Sequence, residues 1–335
     1  MDSLTQIVLG AACGEVILGK QLGNKAMLLG AVAGTIPDLD VIYSLFDSDP
    51  IAQLEVHRGY SHSMFTHLLL AWFFAWLSKR WSKRDITFSR WYMFWFAGFF
   101  THALLDCCTS YGTRLLLPFT DYQVGFNNIS VVDPLYTVPF LLILMVCLFI
   151  KRDRPLRRKF LWASITVSSA YMLLTFGLKW SAFNKFEQSL AQAGISYDEL
   201  DTTPSILNAI LWSASARNDS ILYCAEYSFL NRDIPIVWTP YKRNSQFIKE
   251  FDCDALQTAL WFSEGNYVLE RSGKDTLYSY TSKFGRMRYD ATEVSKAFIF
   301  PLKFVKSNGT ITHEQIEQEW DAGEAWKMLT ERIGI

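Results

Sequence analysis

Three short stretches of this chain hold side chains that could do chemistry. "PDLD" places Asp38 and Asp40 just after a Gly/Ala-rich apolar segment. "HRGYSHS" places His57 and His62 around a glycine-containing turn, with Ser61 or Ser63 available to cap the helix that follows. "HALLD" places His102 and Asp106 four residues apart, on one face of a helix. Singly, each has a bland reading: a helix-ending Pro-Asp turn, an interfacial turn whose histidines reach water, a His–Asp bond between helices. Together they ask for more, because ionisable groups beside lipid are costly and several at one end of one bundle need a shared compensation. A divalent metal supplies it. Imidazole and carboxylate are ligands of zinc, manganese and non-haem iron, and a bound metal can lower the pKa of water to ~7. Spacing does not decide between one metal and two. His67, five residues beyond His62, turns away from that face and is expected to make a packing hydrogen bond instead.

Other polar residues near these motifs have two readings each. Arg58 and Arg114 could hold an anionic group such as a phosphate, or anchor at an interface. Asp133, in "VVDPLY", could orient a ligand histidine or cap the next helix. No Gly-x-Ser-x-Gly elbow, P-loop or dinucleotide fingerprint competes.

The elements that must position these residues are mostly apolar. Half of the 335 residues are hydrophobic and the formal net charge is −1, so no basic field recommends nucleic acid. The long apolar runs are Ile7–Gly19, Ala26–Pro37, Met64–Leu77, Trp91–Leu105, Leu135–Ile150 and Phe160–Leu178. A full span needs ~20 apolar residues. The last two approach that length, and the first two are Gly/Ala-rich and suited to tight packing. Trp72, Trp76, Trp81, Trp91 and Trp95 fit an interfacial aromatic belt. "SKRWSKRD", "KRDRPLRRK" and "GKQLGNK" are basic loops expected on the cytoplasmic side. Asp38, Asp40, His57, His62, His102 and Asp106, and everything after about residue 180, then fall on the other side. The opening "MDSLTQIVLG" is acidic where a cleavable signal is basic, so insertion is expected to rest on the apolar segments.

The fold expected is a multi-pass α-helical membrane domain over residues 1–180. A smaller β-rich (α+β) C-terminal domain follows over residues 181–335, extracytoplasmic. "NYVLERSGKDTLYSYTSKFG" reads as two strands around a glycine turn, "AFIFPLKFVKSNGTIT" ends in an Asn-Gly turn, and "PIVWTPYK" reads as an edge strand because of Pro240. Thr312 to Gln315 fits a capping box opening a helix to about Arg332. Six cysteines show no metal-type spacing; Cys224 and Cys253 could pair if that domain faces an oxidising compartment.

The quoted motifs, with "MDSLTQIVLGAACGE", "THALLDCCTSYGTRLLLPF" and "NNISVVDPLYTVPFLL", resemble the membrane-bound metal-dependent hydrolases of the YdjM-like family. The likeness covers the first ~180 residues in order; "TPSILNAILW", "YCAEYSFL" and "SKFGRMR" look like the C-terminal extension of longer members. The resemblance implies a bacterial inner-membrane protein with Asp38, Asp40, His57, His62, His102 and Asp106 as metal ligands. Family members commonly carry a histidine where this chain has Gln6, a weaker ligand that Asp2 could compensate. A more distant likeness to zinc-dependent phospholipase C suggests phosphoester hydrolysis. The expected activity is therefore hydrolysis of a phosphoester or ester, in a lipid or lipid-linked substrate, by water activated on zinc, manganese or iron. The rivals are a non-catalytic membrane protein with a structural metal or ion pathway, and a membrane-anchored binding module.

Overall fold

The computed structural model describes residues 1–286, 294–318 and 321–335. They form two compact units, Met1–Asp47 with Glu55–Phe176, and Ser48–Leu54 with Gly177–Ile335. Each of the six apolar runs becomes a helix: α1 (Ser3–Leu22), α2 (Asn24–Thr35), and, after the short α3 (Pro50–Val56), α4 (Met64–Trp81), α5 (Phe88–Cys107), α6 (Pro134–Phe149) and α7 (Pro155–Ala193). Asp2 does not reach toward a ligand position. It caps α1, accepting from the Thr5 amide and hydroxyl.

Glycine sets the spacing of the first unit. Gly10 and Gly14 on α1 face Gly30 and Gly34 on α2. A Cβ added at any of the four would strike the backbone of the facing helix. Such contact lets two helix backbones approach closely. Gly98 of α5 lies against the Ala33 methyl, which a Cβ at Gly98 would strike. Next to these, Ala71 and Ala75 of α4 pack with Phe94, Trp95 and Phe99 of α5. Trp91 and Trp95 therefore do not join an aromatic belt: they are core, at 4 % and 6 % exposure, while Trp72, Trp76 and Trp81 are exposed. Toward the start of α7 the buried Glu15 and Arg157 make a two-pronged ion pair, each bond 2.6 Å.

Multi-pass insertion is not what length and apolarity support. Two candidate membrane spans meet both criteria among the described residues. They are Asn24–Leu45 (α2 with a 3-10 continuation, Ile36–Leu45) and α7, while α6 is a shorter apolar helix. The other expected spans are diluted by polar side chains: Gln6, Glu15 and Lys20 in α1, His67, Lys79 and Arg80 in α4, and Arg90, His102 and Asp106 in α5.

The second unit holds two antiparallel four-stranded sheets. One runs β1 (Glu199–Pro204), β2 (Leu211–Arg217), β3 (Ile221–Ser228), β4 (Thr239–Lys242). The other runs β5 (Tyr267–Ser272), β6 (Thr276–Thr281), β7 (Ile299–Ser307), β8 (Thr310–Gln315). Pro240 sits on an edge strand, β4, and Asn308-Gly309 make the β7–β8 turn with both φ positive. α8 (Asp254–Phe262), a single turn α9 (Val294–Ala297) and α10 (Ala322–Ile333) complete it. Ile51 from the Ser48–Leu54 segment is buried among Phe251, Leu256 and Phe304. The capping box at Thr312 is corrected: Thr312–Gln315 belong to β8, paired with β7, and the helix starts ten residues later with Asp321 as its cap. Met287 and Arg288 of "SKFGRMR" and residues 319–320 lie outside the described residues. Cys224 and Cys253 are free thiols.

Candidate metal centre

Asp38, His62, His102 and Asp106 converge. Their ligand atoms all lie within 4.8 Å of one another. His62 Nε2 is 3.1 Å from His102 Nε2, 3.1 Å from Asp106 Oδ2 and 3.4 Å from Asp38 Oδ1. His102 Nε2 is 3.3 Å from Asp38 Oδ1 and 3.5 Å from Asp106 Oδ2. His62, His102 and Asp106 are buried at 0–1 % exposure; only the Asp38 side chain, at 17 %, opens outward.

Three of the four converging groups are aimed by what their other ends touch. The Gly34 carbonyl, 2.6 Å from His102 Nδ1, can only accept. Nδ1 must carry the proton, and in the neutral ring Nε2 presents a lone pair to the cluster. That carbonyl is in reach because the glycine packing draws α2 against α1 beside α5. His62 Nδ1 is 2.9 Å from the Ser61 hydroxyl, which donates to Asp40 Oδ2 at 2.6 Å. Asp106 Oδ1 is occupied from behind by the Met1 amine, by Gln6 Nε2 at 3.0 Å and by the Arg58 guanidinium at 3.3 Å, leaving Oδ2 forward. A donor set of two imidazole nitrogens and two carboxylate oxygens, three of them held by a partner at the far end, fits a divalent cation.

The remaining expected residues stand around this group. Asp40 and His57 are behind it: His57 Nδ1 meets Asp40 Oδ1 at 3.0 Å, and the Arg58 amide donates to Asp40 Oδ2. Asp38 and Asp40 are two apart on a 3-10 turn of three residues, which sends them to different sides. Arg58, 4 % exposed with φ +55°, bonds Thr109 at 2.9 Å and stacks over Tyr111. Burial pushes the Tyr111 phenol up to about 12. Arg114 lies against Gly59 with Glu55 and Asp121 in its field. Asp133 caps α6 through the Leu135 and Tyr136 amides and accepts from Tyr171 at 2.9 Å. His67 bonds the Ser61 carbonyl at 2.8 Å beside Phe99. Ser63 makes no side-chain cap; its hydroxyl donates to the Leu117 carbonyl.

Gln6 lies in the centre's wall, 1 % exposed, its Nε2 also donating to the His102 carbonyl at 3.3 Å while Oε1 has no hydrogen-bond partner among the described residues. Sequence reasoning missed the roles of Ser61, Thr109 and the Gly34 carbonyl. Ser61 sits directly beside His62, and its hydroxyl was legible only as a possible cap. A backbone carbonyl leaves no signature in residue types.

A family profile described as "YdjM inner membrane protein" matches residues 1–182 of the 335. No curated protein and no solved structure matches the chain.

Proposed function

Since the chain belongs to the YdjM inner membrane protein family, we propose that it is an integral membrane metal-dependent hydrolase, with Asp38, His62, His102 and Asp106 holding the metal. The observation that carries this reading is the convergence of those four side chains, three of them, His62, His102 and Asp106, oriented from behind. Zinc is the first assignment, with manganese or iron the alternatives that a mixed nitrogen and oxygen set also suits. A cation bound there supplies Lewis acidity and lowers the pKa of water to ~7. Asp38 forms the open edge where substrate meets the site. His57, its side chain 26 % exposed, joins Asp40 to solvent and gives a proton a path away from Ser61 and His62. Arg58 counter-charges Asp106, Arg114 draws an anionic group toward the Gly59 turn, and Asp133 holds the start of α6.

The substrate assigned is an ester or phosphoester of a lipid or lipid-linked molecule. Val41, Leu45 and Phe46 are exposed on and just after the segment that carries Asp38 and Asp40, and Tyr60 is exposed beside His62's turn. An exposed apolar rim at a polar site suits a substrate that keeps its acyl chains in the bilayer. Both candidate spans begin beside basic residues, Lys20 and Lys25 for one and Lys151–Lys159 for the other. With the shorter apolar α6 carrying the chain back across the bilayer between them, the positive-inside rule keeps both basic ends cytoplasmic, and the site and the C-terminal domain are then extracytoplasmic.

Turnover tests the reading. The detergent-purified, metal-loaded protein is expected to hydrolyse a phosphodiester or a lipid ester, with Asp38→Asn lowering the rate at least a hundredfold. Absence of turnover toward both substrate classes, or equal turnover by the variant, contradicts the hydrolase assignment. A structural metal is the second reading, favoured by the near-complete burial of three ligands; metal retained without turnover supports it.

A further inference from the structure

The second unit contains an open cleft of about 360 Å³. One wall is the C-terminal half of α7. Ser181, Lys185, Gln188 and Gln192 line it at spacings of four, three and four, which is one face of a helix. The opposite wall is Tyr227 on β3 and the segment after it, with Arg232, Ile234 and Ile236. The walls are tied together: the Trp238 indole donates to Ser189 Oγ at 2.7 Å and its ring meets Phe186 edge-on at 5.8 Å. Two of the ten lining residues are cationic and none is acidic. Among the described residues neither Lys185 nor Arg232 has a carboxylate partner; Arg232 donates to the Phe229 carbonyl through Nε alone. The Gln188 and Gln192 amides and the Tyr227 hydroxyl likewise have no partner in the described residues.

We propose that this cleft binds a phosphate ester carrying free hydroxyls, as in an anionic phospholipid headgroup. Lys185 and Arg232 neutralise the phosphate. The amides and hydroxyls of the α7 stripe bond the polyol. The volume fits a headgroup-sized ligand, within the ~300–1,000 Å³ range of small-molecule sites. The lipid source follows from α7 itself: its apolar run ends at Leu178, and the polar stripe begins three residues later, at Ser181. Trp180 is exposed between them, an interfacial residue at the step. This inference does not rest on hydrolysis and concerns another unit.

The test uses the full chain in detergent and native mass spectrometry. It is titrated with dioctanoyl phosphatidylglycerol, dioctanoyl phosphatidylcholine and sn-glycerol 3-phosphate. Phosphatidylglycerol is expected to bind saturably and at least tenfold more tightly than phosphatidylcholine. Lys185→Gln with Arg232→Gln, both at exposed positions, should weaken it at least tenfold with an unchanged circular-dichroism spectrum. Asp38→Asn should bind it as wild type does, which separates this site from the metal centre. Glycerol 3-phosphate binding as tightly, with the same dependence on the two cations, supports the site and assigns its ligand to the soluble pool. Phosphatidylglycerol binding that is absent, indifferent to the double variant, or matched by phosphatidylcholine overturns the proposal.

Discussion

The second nitrogen of each histidine decides what its first can do. His102 donates its Nδ1–H to the Gly34 carbonyl, and His62 is set by Ser61 and, through it, Asp40. Removing such a partner typically weakens metal binding about 10–100-fold without removing a ligand. Ser61→Ala should therefore weaken metal binding by that factor in a competition titration while the thermal midpoint moves little. Equal affinity would remove Ser61 from the orienting role. Gln6→Ala should act similarly, because the amide holds Asp106 Oδ1 back; Gln6→His, which adds an imidazole to the wall, should raise affinity or stoichiometry. Residue types made the cluster legible, since carboxylates and imidazoles beside apolar runs need a reason. Which ones face inward was not legible. Two aspartates two apart converge or diverge according to the turn that carries them, and the 3-10 turn sends Asp38 inward and Asp40 to Ser61.

At the scale of elements, the glycine contact between α1 and α2 positions both the cluster and its supports. Gly34→Ala should lower the thermal midpoint, since overpacking costs about 1–3 kcal/mol. It should also weaken metal binding, because the shifted backbone carries the His102 acceptor. A variant that loses stability but keeps metal affinity would separate the two effects and count against this coupling. The Glu15–Arg157 pair is a second fastening. Arg157→Met leaves a buried carboxylate alone and should cost about 3–5 kcal/mol, whereas Glu15→Gln with Arg157→Met should recover much of the loss. Short apolar runs and turn residues made the helices and hairpins readable. Two features were not. The Thr312 signature was overridden by pairing with β7, and Trp91 and Trp95 went into the core because small α4 residues opened room for them.

For the whole molecule, family membership and two candidate spans make this an inner-membrane protein, and both spans begin at a basic end. Cys253 is partly exposed, whereas Cys224 is buried at 2 % and burial pushes its thiol up to about 11. With Cys253 as the sole cysteine, an impermeant maleimide should label it in intact spheroplasts; labelling only after permeabilisation would contradict the extracytoplasmic assignment. The recruitment of Ser48–Leu54 to the second unit had no signal in the sequence, because a single buried Ile51 in a polar stretch reads as loop. The central claim concerns one metal held by four side chains, and elemental analysis of the detergent-purified chain tests it most directly. Wild type should carry stoichiometric zinc, manganese or iron, and His102→Ala and Asp38→Ala should each lose most of it while remaining folded. Wild type without a tightly bound transition metal, or both variants retaining it in full, would contradict the account.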